Sequence, residues 1–577
     1  MSRADQRFVW SRAILIAALV GIALGSLVAV LIPAGLGWDF ANYYDAGHKA
    51  LVGETANLYN EHALIDGAAP QSNMLFLSAP ISSFFYAPLA LFDPPAALFV
   101  FKVENVVALL LALAILYYTL RAHVREADQL SFAALFFTAA LLFQPFWTVF
   151  RVGGQVTPTI MALLAVGAMF HSNARFALSA ICFSLIVLIK PVFLPGAAFL
   201  AFASGRRFFV VSLLTGLAFA ALSVALLGLD LHIGFVERMM QEGARAWPSH
   251  YNSALTSAVN YISPEQCGAD GFCRVGQPAA AVSALIRLGA VAALIALYVG
   301  AWRSAMAQGA RLHLAWTIAA VLPVMATPIV WAHYLSVVFL PVAFIIAMRR
   351  DIPAPALYLT AALVLFSVGQ NLVLILKIVA LTGMDSPGEQ IAMGLFKSIP
   401  LWLTLALVVF YRRAIIAAYN TPSWRASGEN FGFTGAAARL SADPRVRFIF
   451  TGGSLAVLNW LLRFPFSAAM PYEFAVIASA SIMTVIGFFL YREFVFQSTS
   501  PEIRRQIIMF ILVSIGAVAV TAVVAATASD FLEKLARLRV AEAEAFGHLI
   551  AIAAAAVWNF IGHRRLTFAA RREAGQA

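Results

Sequence analysis

A few polar side chains, far apart in an otherwise apolar chain, are of types that could carry chemistry together. Asp39 stands in "GWDFANYYDAGHKALVGETANLYN" (37–60), Gln155 in "RVGGQVTP" (151–158), Lys190 in "LIVLIKPVFLP" (185–195) and His333 in "TPIVWAHYL" (327–335). A carboxylate just past the end of an apolar segment can act as a general base toward an acceptor hydroxyl. Asp39 could equally be a solvated interfacial aspartate, or cap a helix through 40–51 by accepting from the amides of Ala41 or Asn42. Asp45 follows six residues later, a spacing that does not put both carboxylates on one helix face. Lys190 could partner a phosphate or snorkel to the interface. Arg151 could balance the same negative charge. Gln155 follows a glycine pair that allows close approach of the backbone to a ligand. His333, flanked by Trp331 and Tyr334, could be a ligand contact or a structural histidine in a turn. Tyr43, Tyr44 and Tyr86, with Tyr59, Phe84 and Phe85, are suited to stacking on sugar faces and equally to an aromatic belt at the headgroup level.

The elements that must position these groups follow from composition. Of 577 residues, 62% are hydrophobic and 12% charged, against about 25% charged in a soluble domain. Apolar runs of roughly 18 to 25 residues recur, each long enough to cross about 30 Å of hydrocarbon. The pattern predicts an all-α polytopic membrane protein, and excludes a β-barrel, whose strands alternate over about ten residues. The first apolar segment, 13–33, is too long for a signal-peptide core and reads as a retained span. Arg3, Arg7 and Arg12 before it place the N-terminus in the cytoplasm, and later arginine clusters agree with about twelve spans before residue 412. On that count Asp39, Gln155, Lys190 and His333 all face outward, in a bacterial inner membrane toward the periplasm. A net charge of +11 sets topology here and does not imply nucleic acid.

Cys267 and Cys273, in "CGADGFC", fall in an outside loop where an oxidising compartment permits a disulfide. Zinc is the alternative, although two thiolates without histidines make a poor site. Cys182, within a span, reads as packing. No P-loop, nucleotide fingerprint or metal cluster appears. The polar chemistry therefore lies where nucleotide sugars are not available, and neither a cofactor nor a metal is expected.

The chain divides into a membrane block at 1–411, a polar cytoplasmic linker at 412–444, a four-helix membrane block at 445–568, and a basic cytoplasmic tail at 569–577. Within the second block "FFLYREFVFQ" and "NFIGHRRLTF" share Phe-x-x-x-Arg-x-x-x-Phe, which suggests two related hairpins. Arginines closing cytoplasmic helix ends give the same look without duplication. The boundary at the linker predicts separable blocks.

"WDFANYYDAGHKALVGETANLY", "FFYAPLALF", "GGQVTP", "IKP" and "TPIVWAHYL", in this order, resemble the landmarks of glycosyltransferase family 87. That family consists of GT-C membrane enzymes using polyprenyl-phosphate sugars, with mannosyltransferases among them. The resemblance implies that Asp39 is the catalytic base, and maps a motif histidine onto His333, with Thr327 replacing the usual serine. "RFIFTGGSLAVLNWLL", "YREFVFQ" and "NFIGHRRLTF" resemble the GtrA-like family, implicated in handling lipid-linked sugars. There Asn459, Arg463, Arg492, Asn559, Arg564 and Arg565 are the phosphate candidates. The reading is a hexosyl- or pentosyltransferase moving sugar from a polyprenyl-phosphate donor to a glycan or lipid acceptor. The alternatives are a transporter or flippase of lipid-linked sugars without transferase chemistry, and an envelope scaffold.

Overall fold

In hydrocarbon a backbone amide has no water to bond, so a spanning segment satisfies its amides internally as helix. A computed structural model describes residues 3–31, 38–59, 76–151, 154–244, 252–260, 264–267, 273–275, 279–304, 306, 308–369, 387–422, 424, 444–491, 503–536 and 540–562. Seven described helices are long and apolar enough to cross a membrane: Phe8–Leu31, Pro94–Arg121, Arg206–Leu227, Ala279–Arg303, Gln308–Ala326, Gly394–Tyr419 and Ile508–Lys534. An eighth span is possible as a bent pair, Glu126–Leu142 with Gln144–Phe150, which turn by 44°. The remaining apolar helices are shorter, at 10–17 residues. The chain is an all-α, multi-pass membrane protein; among the described residues the strands are those of one short hairpin, Pro264–Cys267 against Cys273–Val275.

Local sequence explains the breaks that matter. "DPP" starts the helix Pro94–Arg121: Asp93 accepts from the Ala96 amide at 3.4 Å, and two prolines fill positions whose amides need no helical partner. "IKP" ends the helix Phe176–Ile189, because Pro191 disfavours helix at the residue before it. Lys190 is accordingly extended, with φ −139° and ψ 92°, and a new helix runs Leu194–Ala203. A lysine placed at such a break can face a cavity and not only its own helix.

The centre of the bundle is the helix Gln308–Ala326, buried along most of its length, with Phe143, Phe146 and Phe339 packed edge to face near it. Trp38–Val52 is an amphipathic helix carrying Asp39 in its first turn. Gly47 lets it lie directly on the chain at Tyr86: a Cβ there would sit 2.4 Å from the Tyr86 carbonyl oxygen.

Beyond the first block, four helices run Pro444–Ala469, Tyr472–Leu490, Ile503–Ala536 and Val540–Gly562, the last three joined inside by Val476, Ala525 and Ala551. The junction between the blocks is packed. Phe464 is buried with Ala50, Ile81, Phe84, Ala87 and Leu91, with Trp460 alongside. The sequence reading set the blocks apart at the linker and carried no sign of this contact, because both surfaces are apolar and either could have faced lipid.

Candidate active site

The amphipathic helix Trp38–Val52 presents Asp39 and Tyr43 one turn apart on one face. Opposite them is Gln155, in the turn just before the helix Thr157–Ser172. Gly154 adopts φ +75° there, a conformation suited to glycine, and so turns the chain to aim Gln155 back at Asp39. The Tyr43 hydroxyl donates to Gln155 Oε1 at 3.0 Å. With that oxygen accepting, the Gln155 amide is left to donate to the Asp39 carboxylate, with which it shares a side-chain hydrogen bond. One amide thus fixes both groups.

Lys190 arrives from the helix break. Its Nζ lies 5.5 Å from the Tyr43 ring centroid and 5.6 Å from that of Tyr334. The ammonium is held between two aromatic faces, and no ion pair engages it among the described residues. His333 packs edge-on to Tyr334 at 4.7 Å and lies within electrostatic reach of Lys190. Tyr86 stacks on Tyr43 at 4.7 Å. The His333 Nε2 and the Tyr86 hydroxyl are both buried without a hydrogen-bond partner. Buried polar atoms are rarely left so, and these two border the Tyr43–Lys190 cluster from different sides.

The electrostatics suit a base. Asp39 is half-buried, but desolvation dominates at its carboxylate and raises its pKa above the ordinary 3.8. The Lys190 charge and the Gln155 hydrogen bond act in the opposite direction. Burial, then the neighbouring Tyr86 and Asp39, push the Tyr43 phenol well above its usual range, so it stays a neutral donor.

The chain segments around these groups are tied by hydrogen bonds to backbone. Ser78 Oγ donates to the Ile189 carbonyl at 2.7 Å and the Ala79 amide to the Leu188 carbonyl at 2.9 Å, which holds the segment leading into the helix Ser83–Tyr86 against the Lys190 break. Asn252 does the same for the His333 turn. Its Oδ1 accepts from the Val330 and Ala254 amides, both at 3.0 Å, and its Nδ2 donates to the Pro328 carbonyl at 3.1 Å.

Two regions of the chain match family models. Residues 76–328 match glycosyltransferase family 87, and residues 447–568 match the transmembrane domain of the GtrA/DPMS family. The chain joins a family 87 region to a GtrA-like membrane domain. Together these support a membrane glycosyltransferase. No curated protein matches the chain. The family 87 match contains Tyr86, Gln155 and Lys190; Asp39 precedes it and His333 lies just beyond.

Of the residues singled out by sequence in the first block, Asp39, Tyr43, Tyr86, Gln155, Lys190 and His333 come together. Tyr44 does not: its hydroxyl donates to the Phe92 carbonyl at 2.8 Å and ties the amphipathic helix to the next turn. Phe84 faces the GtrA-like domain. Asp45 pairs with Lys49 at 2.7 Å, and Lys49 also donates to Asn57 O, so this carboxylate closes the end of its own helix. Asp39 lies inside the first helical turn and not ahead of it, so the capping role weighed for it is not the one it takes. The Arg151 side chain lies outside the described residues, as do those of Cys267 and Cys273, although the hairpin register sets the two cysteines opposite one another. Cys182 is free and buried.

Sequence reasoning passed over Asn252 and Glu104. Glu104 lies on the helix Pro94–Arg121, accepts from Thr159 Oγ1 at 2.6 Å, and lies within electrostatic reach of Tyr86. A carboxylate inside an apolar run is itself a signal, since such groups usually serve a function in membranes.

In the GtrA-like domain Asn459 and Arg463 share a helix face one turn apart. Arg463 is almost wholly buried, pairs with Glu544 at 3.3 Å, and leaves Nε and Nη2 without partners. His548, one turn from Glu544 and within reach of the Arg463 charge, is fully buried with neither ring nitrogen partnered. Asn559 lies far along that helix and does not join them, while Arg492, Arg564 and Arg565 lie outside the described residues.

Proposed function

We propose that this membrane glycosyltransferase takes its sugar from a polyprenyl-phosphate donor and passes it to an envelope glycan or lipid acceptor at the periplasmic face of a bacterial inner membrane, both termini being cytoplasmic. The observation that carries the reading is a fixed carboxylate within electrostatic reach of a lysine that makes no ion pair among the described residues. Asp39 would take the proton of the acceptor hydroxyl as its oxygen attacks the anomeric carbon. The bond from that carbon to the donor phosphate oxygen breaks, and Lys190, with His333 beside it, receives the departing polyprenyl phosphate. A single displacement inverts the anomeric centre. Tyr86 and Tyr43 supply a stacked aromatic wall for the sugar. No cofactor enters these steps, and none of them calls on a metal.

The GtrA-like domain handles or translocates the donor. Arg463, with two donors unmet inside a membrane bundle beside the equally unmet His548, is suited to holding a phosphate in transit. Phe464, the next residue, reaches the packing beneath Phe84, so such a site would adjoin the transferase region.

The test is purified full-length protein with a panel of short-chain polyprenyl-phosphate sugars, following polyprenyl phosphate release together with acceptor glycosylation. Release matched by acceptor gain is expected. Movement of donor across vesicles with no release in either leaflet would establish the transporter reading instead.

A further inference from the structure

A cavity lies at the opposite end of the bundle from Asp39. The helix Thr157–Ser172 begins beside Gln155 and, over 16 residues at ~1.5 Å each, ends about 24 Å away. The helices Leu194–Ala203 and Gln308–Ala326 likewise have one end at the Lys190 and Thr327 level and the other at this cavity. Its volume is about 320 Å³, within the range of small-ligand sites. His171, Ser204, Tyr298, Trp302, Gln308 and Arg311 are among its lining residues, and none of the described lining residues is acidic.

Three of the polar groups here can donate into the cavity. Arg311 lies 4.8 Å from the Trp302 ring centroid and makes no ion pair among the described residues. Ser204 Oγ is buried without a partner. His171 Nδ1 accepts from the Trp316 indole at 3.0 Å, so the ring is neutral and its proton sits on Nε2, another donor. A guanidinium, a hydroxyl and an imidazole N–H, with no carboxylate among the described lining residues, describe the complement of a phosphate. Trp302 also belongs to the exposed stripe of Leu288, Ile295 and Val299 on the helix Ala279–Arg303, which puts the cavity rim on the lipid-facing side.

We propose that this cavity binds the phosphate headgroup of an anionic membrane lipid, at the membrane face opposite the transfer site. The proposal does not depend on the donor or acceptor of the transferase. Its ligand chemistry, a phosphate ester, is shared with free phosphate, and the experiment separates the two sources.

Thermal unfolding of the full-length protein in detergent is followed with short-chain phosphatidylglycerol, short-chain phosphatidylcholine and inorganic phosphate. Phosphatidylglycerol is expected to raise the midpoint in a saturable way, phosphatidylcholine to do so far less, and phosphate alone not at all. Arg311→Gln should weaken the apparent affinity by at least about tenfold, as loss of one charge-assisted bond implies, while Asp39→Asn should leave it unchanged. A saturable effect of inorganic phosphate, equal to that of the lipid and lost in Arg311→Gln, would assign the cavity to a soluble phosphate and overturn the lipid assignment. Should Arg311→Gln fail to fold, Ser204→Ala and native mass spectrometry of lipid retention by the wild type take its place. Equal retention of phosphatidylglycerol and phosphatidylcholine, or a response untouched by either substitution, refutes the site.

Discussion

Asp39→Asn separates basicity from shape at the proposed reacting centre. Asparagine keeps the volume, and its amide oxygen can still accept from Gln155, so the Gln155–Tyr43 link at 3.0 Å survives. What is lost is a charge-assisted bond and the site for the acceptor proton. The difference between a charged and a neutral hydrogen bond is on the order of 1 kcal/mol, so the folded protein should persist with little change in melting temperature. Transfer should fall by about 10²-fold or more, which is at least about 2.7 kcal/mol in the barrier. The pH profile supplies a second measure. The Asp39 pKa is raised by burial and held down by Lys190 and Gln155. Its basic form is present above that pKa and disappears as pH falls through it, so kcat should decline on the acid side at a pH above 3.8. Gln155→Leu and Lys190→Met each remove a lowering influence, so in both the acid limb should move to higher pH. The assay is turnover of purified enzyme with a polyprenyl-phosphate sugar across that range. Near-normal kcat for Asp39→Asn, or an acid limb that stays in place in both other variants, would refute the assignment.

Lys190→Met should lower kcat by about 10²-fold, the scale of a lost oxyanion partner, and His333→Ala should cost less; single-turnover rates at saturating donor distinguish these from weaker binding. Asn252→Ala frees two backbone amides and a carbonyl around the His333 turn, at about 1–3 kcal/mol for each group left buried, so a drop in melting temperature should accompany reduced activity. Phe464→Ala opens a cavity beneath Phe84 at about 3–5 kcal/mol. A truncation ending at Ser427 should accordingly lose transfer in detergent as well as in cells, whereas full retention in detergent would show the two blocks to be energetically independent. Alkylation of membranes without reductant should leave Cys267 and Cys273 unlabelled, as a periplasmic disulfide requires, and labelling of both would invert the proposed orientation.

Hydrophobic run length determined the class of the molecule from sequence alone, because a helix is what closes backbone hydrogen bonds in lipid. The "IKP" and "GGQ" punctuation was equally local: proline extends the residue before it, and glycine permits positive φ, so Lys190 and Gln155 could be marked out without a fold. The four helices of the second block followed from composition in the same way. Which of these groups meet was decided by tertiary structure. Tyr43 and Tyr44 are neighbours of identical chemistry, yet the turn of the helix gives one to Gln155 and the other to the Phe92 carbonyl. Asp39 and Asp45 divide likewise, the second being taken by Lys49. Asn252 and Glu104 gain their meaning from partners 78 and 55 residues away, a separation over which neither periodicity nor spacing carries information. The contact of Phe464 with the packing under Phe84 was invisible for a different reason: an apolar side chain on a membrane helix satisfies the same pattern whether it faces lipid or protein.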